Sequence, residues 1–122
     1  MLAAHHGAMD QAGNIALSGL HAASLRLEAA ASNIVNSDSN TYQPVSVSQS
    51  PSPGGGVSAS LQPASLLAYD PAAPYGNLQT QPNVDLPSEL VNLKLAEHDF
   101  RASLLAYKTS AEMFKTLLNA TA

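Results

Sequence analysis

The sequence contains no cysteine and no tryptophan, and only 11% of its 122 residues are charged. Without cysteine, the chain has neither disulfides nor thiolate metal sites. Five basic residues against nine acidic ones provide no basic surface of the kind that binds nucleic-acid phosphates. Aromatic residues amount to 5%, so a ring-lined pocket is not expected, and neither a nucleic-acid partner nor a small-molecule substrate is predicted.

Long apolar runs are also missing. No run approaches the roughly 20 residues that a membrane-spanning helix needs, so no transmembrane segment is predicted. The N-terminal stretch MLAAHHGAMDQAGN has neither a basic start nor an apolar centre, and no cleavable secretory signal is predicted. If the protein leaves the cytoplasm, we expect another export route.

Motifs for catalysis and metal binding are absent as well. His5 and His6 are adjacent and would point in different directions, and His98 lies between two acidic residues. Consecutive helical positions do not converge on one ion. The glycines at 54–56 lack the lysine and the helix of a phosphate-binding loop. The sequence therefore predicts no enzyme activity, no cofactor and no metal site.

Residues 9–37 have the pattern of a long helix, preceded by a flexible tail predicted at residues 1–8. Small and apolar residues alternate at spacings of four and three, which is a heptad stripe. Half of the stripe is Ala or Gly, so a partner helix could approach closely. The polar run SNIVNSDSN is expected to end the helix. The stripe comprises Met9, Gly13, Ala16, Leu20, Ala23, Leu27, Ala30 and Ile34.

A second long helix is predicted over residues 85–122. Asp85 is the expected N-cap, Pro87 suits the first turn, and Glu89 complements the positive helix end. The helix is about 50 Å long, too long for a compact domain of this size to cover. Its stripe, interrupted only by Glu97, comprises Leu86, Leu90, Leu93, Phe100, Leu104, Tyr107, Ala111, Phe114 and Leu118.

The intervening residues 38–84 have a different composition. From Tyr42 to Val84 the segment carries seven of the eight prolines, and Asp70 is its only charge. VSVSQ at 45–49 and VSASLQ at 57–62 alternate apolar and polar residues, as half-buried strands do. PSPGGG between them suits a turn. We predict a small β-hairpin with extended arms, and disorder throughout the segment is the alternative.

The predicted fold class is therefore mainly α. Long N- and C-terminal helices pair as an α-helical hairpin or coiled coil, with the small β-hairpin or extended proline-rich insert between them. The poor core of the insert cannot cover both stripes, so neighbouring chains are expected to bury them. The predicted assembly interface comprises Ala16, Leu20, Ala23, Leu27, Ala30, Asn33, Ile34, Asn36, Asp85, Leu90, Leu93, Phe100, Leu104, Tyr107, Phe114 and Leu118.

Two stretches resemble a known family. SGLHAASLRLEAAASNIVNSDSNTY, residues 18–42, resembles the N-terminal signature of the flagellar rod and hook proteins, in which a small-residue helix precedes Asn-Ile-Ala-Asn, a polar run and a Tyr. Residues 69–119 resemble the C-terminal half of the proximal rod members. The matching markers are Tyr69 to Pro71, Pro82 to Asp85, Glu89 to Asn92, and Lys115 to Leu117.

The resemblance implies a structural subunit of the bacterial flagellar basal-body rod, which transmits torque for motility across the periplasm. It implies export without a cleaved signal by the flagellar type III apparatus. It also implies a helical tube in which the terminal helices pack against copies of this chain and other rod proteins. A helical-hairpin binding module that docks on a single partner is one alternative. Another axial protein of the rod and hook family is a second.

Overall fold

The structure, a computed structural model, describes residues 2–39, 41–63 and 84–121. Helix α1 spans Leu2–Val35, strand β1 Val45–Pro51, strand β2 Val57–Pro63 and helix α2 Leu86–Thr121. The predicted fold class is confirmed, since a small antiparallel hairpin lies between two long helices. The arms predicted at 64–83, with the Tyr-Asp-Pro marker and the start of Pro-Asn-Val-Asp, lie outside the described residues.

Helix α1 begins at Leu2, within the eight residues for which a flexible tail was predicted. Alanine is frequent there, and the first β-branched residue is Ile15, so helix propensity is favourable from the start. The helix ends at Val35. Beyond it, Asn36 donates from its backbone N–H and from its Nδ2 to the carbonyl of Ser32, at 3.1 and 2.8 Å. These two bonds satisfy a carbonyl of the last turn.

Helix α2 begins directly after Asp85. The Asp85 carbonyl accepts the first helical bond, from the Glu89 N–H at 2.9 Å. Its carboxylate accepts a hydrogen bond from the Ser88 hydroxyl at 2.5 Å. Pro87 lies in the first turn, where its missing N–H removes no helical bond. Helix α2 therefore begins directly after Asp85, where the sequence predicts its start.

The two helices run antiparallel and contact each other along small residues. Gly13 lies opposite Ser110 and Gly19 opposite Ser103, while Arg26 pairs with Asp99. The largest fully buried side chain among the described residues is that of Asn33, which is 2% exposed. Apart from Pro44, the buried apolar residues in the described part of the chain are alanines, namely Ala16, Ala22, Ala23, Ala29, Ala30 and Ala96.

The β-hairpin lies against α1. Its strands pair with Val45 opposite Pro63 and Pro51 opposite Val57. Both strands contact α1, and within the described residues neither packs against α2. The Gln11 Nε2 donates to the Gly54 carbonyl at the hairpin tip, at 3.3 Å. The hairpin therefore folds back along the helix that precedes it.

Glycine is required at the tip because the backbone turns left-handed and approaches the helix. Gly55 and Gly56 have φ angles of 88° and 81°. A Cβ atom on Gly56 would lie 2.2 Å from the Ser18 Oγ. That oxygen accepts a hydrogen bond from the Val57 N–H at 3.1 Å. The close approach thus fixes where the second strand starts.

A glycine pair tests this packing. We expect Gly56→Ala to destabilise the hairpin by about 1–3 kcal/mol, because it combines a strained φ with a clash at Ser18. Gly54→Ala is the matched control, since nothing lies within 4 Å of a Cβ at Gly54. Hydrogen exchange by mass spectrometry should show faster exchange over 45–63 in the first variant alone. Equal exchange in both variants would contradict the close approach.

Candidate assembly interface

Small side chains form the contact between α1 and α2. Ala16, Ala23 and Ala30 are buried on α1, and Ala96 is fully buried on α2. A Cβ atom added to Gly19 would lie only 2.8 Å from the Ser103 Oγ. Helix backbones approach closely only where side chains are this short. The contact therefore depends on residues with little apolar surface of their own.

The inward side of α2 is rotated relative to the stripe that the sequence predicts. Leu93 and Phe100 lie both on the predicted stripe and on the inward side of α2, and both are half-buried. Ala96, Ser103 and Ser110 point inward, and the sequence prediction missed them. They are seven residues apart, as are Ala16, Ala23 and Ala30 on the facing helix. Matching heptads of small residues were the sequence signal that could have identified them.

Larger side chains of the predicted interface lie beside this contact. Leu20, Leu27, Ile34 and Leu104 are half-buried. The exposed fractions of Leu90, Tyr107, Phe114 and Leu118 are 53%, 41%, 38% and 47%. Asn36 is half-buried and Asp85 is exposed at the helix start. The structure thus gathers the small members of the predicted set in the centre and leaves the large members at the side.

Helical periodicity places many of these leucines on one side of the helix pair. We call this side the leucine face and define it by Leu17, Leu20 and Leu27 of α1 with Leu90, Leu104 and Leu118 of α2. A cleft of about 240 Å³ opens on the same side, between the two helices. Its lining includes Leu17, Tyr107 and Phe114. The leucine face is an apolar surface with a recess.

Charged side chains accompany the leucine face on α2. Glu97, the one charged residue in the predicted stripe, accepts a hydrogen bond from Lys94 at 3.1 Å and forms an ion pair with Arg101 at 2.6 Å. The hydrogen bond from Lys94 and the charges of both cations lower the pKa of Glu97. The interactions of ionised Glu97 with these two cations therefore stabilise the helix at neutral pH. This stabilisation is lost as the pH falls through the lowered pKa of Glu97.

Asn33 joins the hairpin to α1. Its Nδ2 donates to the Val45 carbonyl at 2.8 Å, and its Oδ1 accepts from the Val45 N–H at 2.9 Å and the Tyr42 hydroxyl at 3.0 Å. The Tyr42 and Ser32 hydroxyls are 2.9 Å apart. One buried amide thereby satisfies both backbone groups of the first strand residue. This role explains why an Asn and a Tyr occur at this spacing.

The described part of the chain contains neither a cluster of metal-binding side chains nor a helix suited to cross a membrane. Among residues 2–39, 41–63 and 84–121, no three acidic or histidine side chains group closely enough to hold a metal ion. Arg26, paired with Asp99, has a buried Nε for which the described residues provide no acceptor. No helix in the same residues combines the length and apolarity needed to span a membrane.

A substitution that replaces one atom tests whether the side-chain amide of Asn33 holds the first strand. Asn33→Asp removes the donor to the Val45 carbonyl and places a carboxylate in a buried site. We expect about 1–3 kcal/mol of destabilisation and so roughly 10- to 100-fold faster amide exchange in the hairpin. Asn14→Asp, at an exposed position of the same helix, should leave exchange unchanged. Unaltered hairpin exchange in Asn33→Asp would show that this amide does not hold the strand.

Two alanines of α2 distinguish the observed contact from the predicted stripe. Ala96 is fully buried, whereas Ala111, a member of the predicted stripe, is exposed. We expect Ala96→Leu to cost about 1–3 kcal/mol of stability through overpacking. Ala111→Leu should change it by no more than about 0.5 kcal/mol. Thermal unfolding followed by circular dichroism measures both, and the reverse order would favour the predicted stripe.

Sequence similarity to known proteins assigns this chain to a family. No protein-family model matches the chain. The flagellar basal-body rod protein FlgC of Escherichia coli O6:H1 (strain CFT073) is 35% identical over 123 aligned positions, covering 85% of this chain and 92% of the relative. FlgC of Salmonella typhimurium (strain LT2) shows the same identity and coverage. The resemblance seen in the sequence is thereby confirmed, and the chain belongs to the FlgC family of flagellar basal-body rod proteins.

Proposed function

We propose that this protein is a structural subunit of the flagellar rod, and that its helices assemble with copies of itself and with other rod proteins. The proposal assigns it no catalytic role. The relatives carry the name of a rod protein, and the chain aligns with nearly their whole length. Torque transmission through packed helices is the mechanical task that such a subunit performs.

One observation carries the proposal: the apolar side chains that the free chain buries are mainly alanines, whereas many of its large apolar side chains are exposed. Val35 is 82% exposed, Leu105 66%, Val91 58% and Leu95 55%. Burying one such side chain stabilises a folded state by about 1.5–3 kcal/mol. A protein that worked alone would gain stability by burying these side chains in its own core. The arrangement is typical of a subunit whose apolar surface is covered by neighbours.

The interface that we propose comprises the predicted residues, with separate roles for the small and the large ones. Ala16, Ala23 and Ala30 hold the two helices of one chain together. The leucine face is available to other chains. Asn33 fixes the hairpin, and Asp85 starts the second helix. A rigid pair of helices with an apolar exterior suits a shaft that must resist torsion.

We further propose that the protein functions in the periplasmic part of the basal body after export by the flagellar type III apparatus. This part of the proposal rests on the family and on the mainly helical architecture. Long helices with an alanine core bury little apolar surface, so the isolated chain is easily unfolded for passage. The position of the subunit along the rod is defined by which neighbours cover the leucine face.

Leu90 provides the test of assembly. It is exposed in the free chain, so Leu90→Asp should change monomer stability by no more than about 0.5 kcal/mol. Within an interface the same change buries an unpaired charge, which costs several kcal/mol. We therefore expect loss of swimming on soft agar and loss of the protein from purified basal bodies, in cells whose only copy carries the change.

The control is His98→Asp, which introduces the same side chain at an exposed polar position of α2. It should leave swimming and incorporation intact. Normal incorporation of Leu90→Asp would remove this part of the leucine face from the interface. A wild-type chain that is absent from basal bodies and forms a finite complex with one partner would instead favour a binding module.

A further inference from the structure

The contact between α1 and α2 repeats every seven residues. On α2 the inward side carries Ala96, Ser103 and Ser110, and on α1 small residues recur at positions 16, 23 and 30. Sliding α2 along α1 by one heptad, about 10.5 Å, would therefore place small residues opposite small residues again. Large residues of α2 recur at the same spacing, namely Leu93, Phe100, Tyr107 and Phe114.

Neither the hairpin nor the connection to α2 prevents such a shift. Both strands pack on α1, and within the described residues neither contacts α2. Twenty residues separate Pro63 from Val84, and a chain of that length can span up to about 66 Å. Helices of 34 and 36 residues would also keep most of their overlap. The choice of register therefore depends on contacts between the helices themselves.

One contact between the helices does not repeat. Arg26 is the single lysine or arginine of α1, and it occupies the heptad position that Gly19 occupies one repeat earlier. Its Nη2 donates to the Asp99 Oδ2. Among residues 2–39, 41–63 and 84–121 this is the one ion pair that joins the two helices, because both ion pairs of Glu97 lie within α2.

Partial burial makes the loss of this pair unfavourable. The side chains of Arg26 and Asp99 are 34% and 49% exposed, so solvent screens their charges only in part. The Arg26 Nε is buried and has no acceptor in the described part of the chain. Moving Asp99 away would leave a partly buried guanidinium without its counter-ion.

A shift by one heptad separates the two charges in either direction. Counted from the observed pair, Arg26 would lie opposite Asn92 in one direction and opposite Ala106 in the other. Asp99 would lie opposite an uncharged residue of α1 in both cases, namely Gly19 or Asn33.

Glu89 makes one of the two shifts less unfavourable. It lines the same cavity of about 240 Å³ as Arg26 and Asn92. In the shift that brings Arg26 to Asn92, Glu89 can replace Asp99 as the partner of Arg26. Reversing the charge of Asp99 should therefore move α2 in that direction.

We propose that the Arg26–Asp99 pair selects the register of α1 and α2. The small residues set the distance between the helices, and the pair sets their displacement along the common axis. A half-exposed ion pair adds little to total stability. Register depends on the difference between two otherwise similar arrangements, however, so a small interaction is enough to decide it. The register is a property of the single chain and is independent of the proposed rod function.

Disulfide formation within one chain measures the register, because the natural chain has no cysteine. A Cβ atom on Gly13 would lie 3.5 Å from the Ser110 Oγ, so Gly13→Cys with Ser110→Cys reports the observed register. Gly13→Cys with Ser103→Cys reports the shift toward Glu89, and Gly13→Cys with Leu117→Cys reports the opposite shift. The first two positions lie at least about 16 Å from the ion pair along their helices, so this reporter leaves it intact.

Equilibration of the full chain with reduced and oxidised glutathione gives an effective concentration for each cysteine pair. In the otherwise unchanged chain, we expect the pair at 13 and 110 to exceed both shifted pairs by at least roughly tenfold. In denaturant the three values should be nearly equal, because the three loops differ little in length.

Charge reversal should change this preference. We expect Asp99→Arg to lower the ratio of the observed to the Glu89-directed register about 5- to 20-fold, because it places two cations together. Arg26→Asp combined with Asp99→Arg exchanges the charges and should return the ratio to within about twofold of the original. Glu112→Arg makes the same change of charge at an exposed position of α2 and should leave the ratio unchanged.

Three results would overturn the proposed role of the pair and leave the rod function untouched. An unchanged ratio in Asp99→Arg would show that packing alone sets the register. A lowered ratio that the charge exchange does not restore would show that Asp99 acts through a contact other than Arg26. Loss of the helical circular dichroism signal in both variants, with three equal effective concentrations, would show that these residues support folding and do not select a register.

Discussion

The close approach of α1 and α2 is the constraint on which the rest of the structure depends. Glycine, alanine and serine meet where the helices cross, and a Cβ atom on Gly19 would already crowd Ser103. Such a contact brings many backbone atoms together and fixes the relative position of the helices. It buries few methylene groups, however, so its hydrophobic contribution is small for a contact between two helices of this length.

The same constraint determines which residues stay exposed. Because the centre of the contact is filled by alanines, leucines at neighbouring helical positions can reach it only with part of their surface. Leu20 and Leu104 are half-buried, and Leu90 remains mostly outside. The chain thus combines a fixed internal geometry with an apolar exterior. In the assembly that we propose, this combination separates two tasks, with the alanines holding the subunit together and the leucines joining subunits.

The hairpin depends on α1 in a different way, through polar groups. Asn33 holds its first strand and the Ser18 hydroxyl holds the start of its second. Both contacts bind backbone groups, so they position the ribbon independently of its own side chains, which are mostly exposed. A two-stranded hairpin has little stability alone. Its attachment at two points fixes its position on α1.

The sequence by itself determined the element types and the family. Heptad spacing, the Asp85-Leu86-Pro87 helix start and the alternation in VSVSQ and VSASLQ act over short distances, and each produced the element that it predicts. Local patterns could not determine which side of α2 faces inward. The stripe through Leu90 and Leu104 and the stripe through Ala96 and Ser103 have the same period, and hydrophobicity favours the leucines. Only the tertiary structure decided between them, because the distance between two helices depends on both surfaces at once, and the small residues of α1 allow the closest approach where α2 is also small.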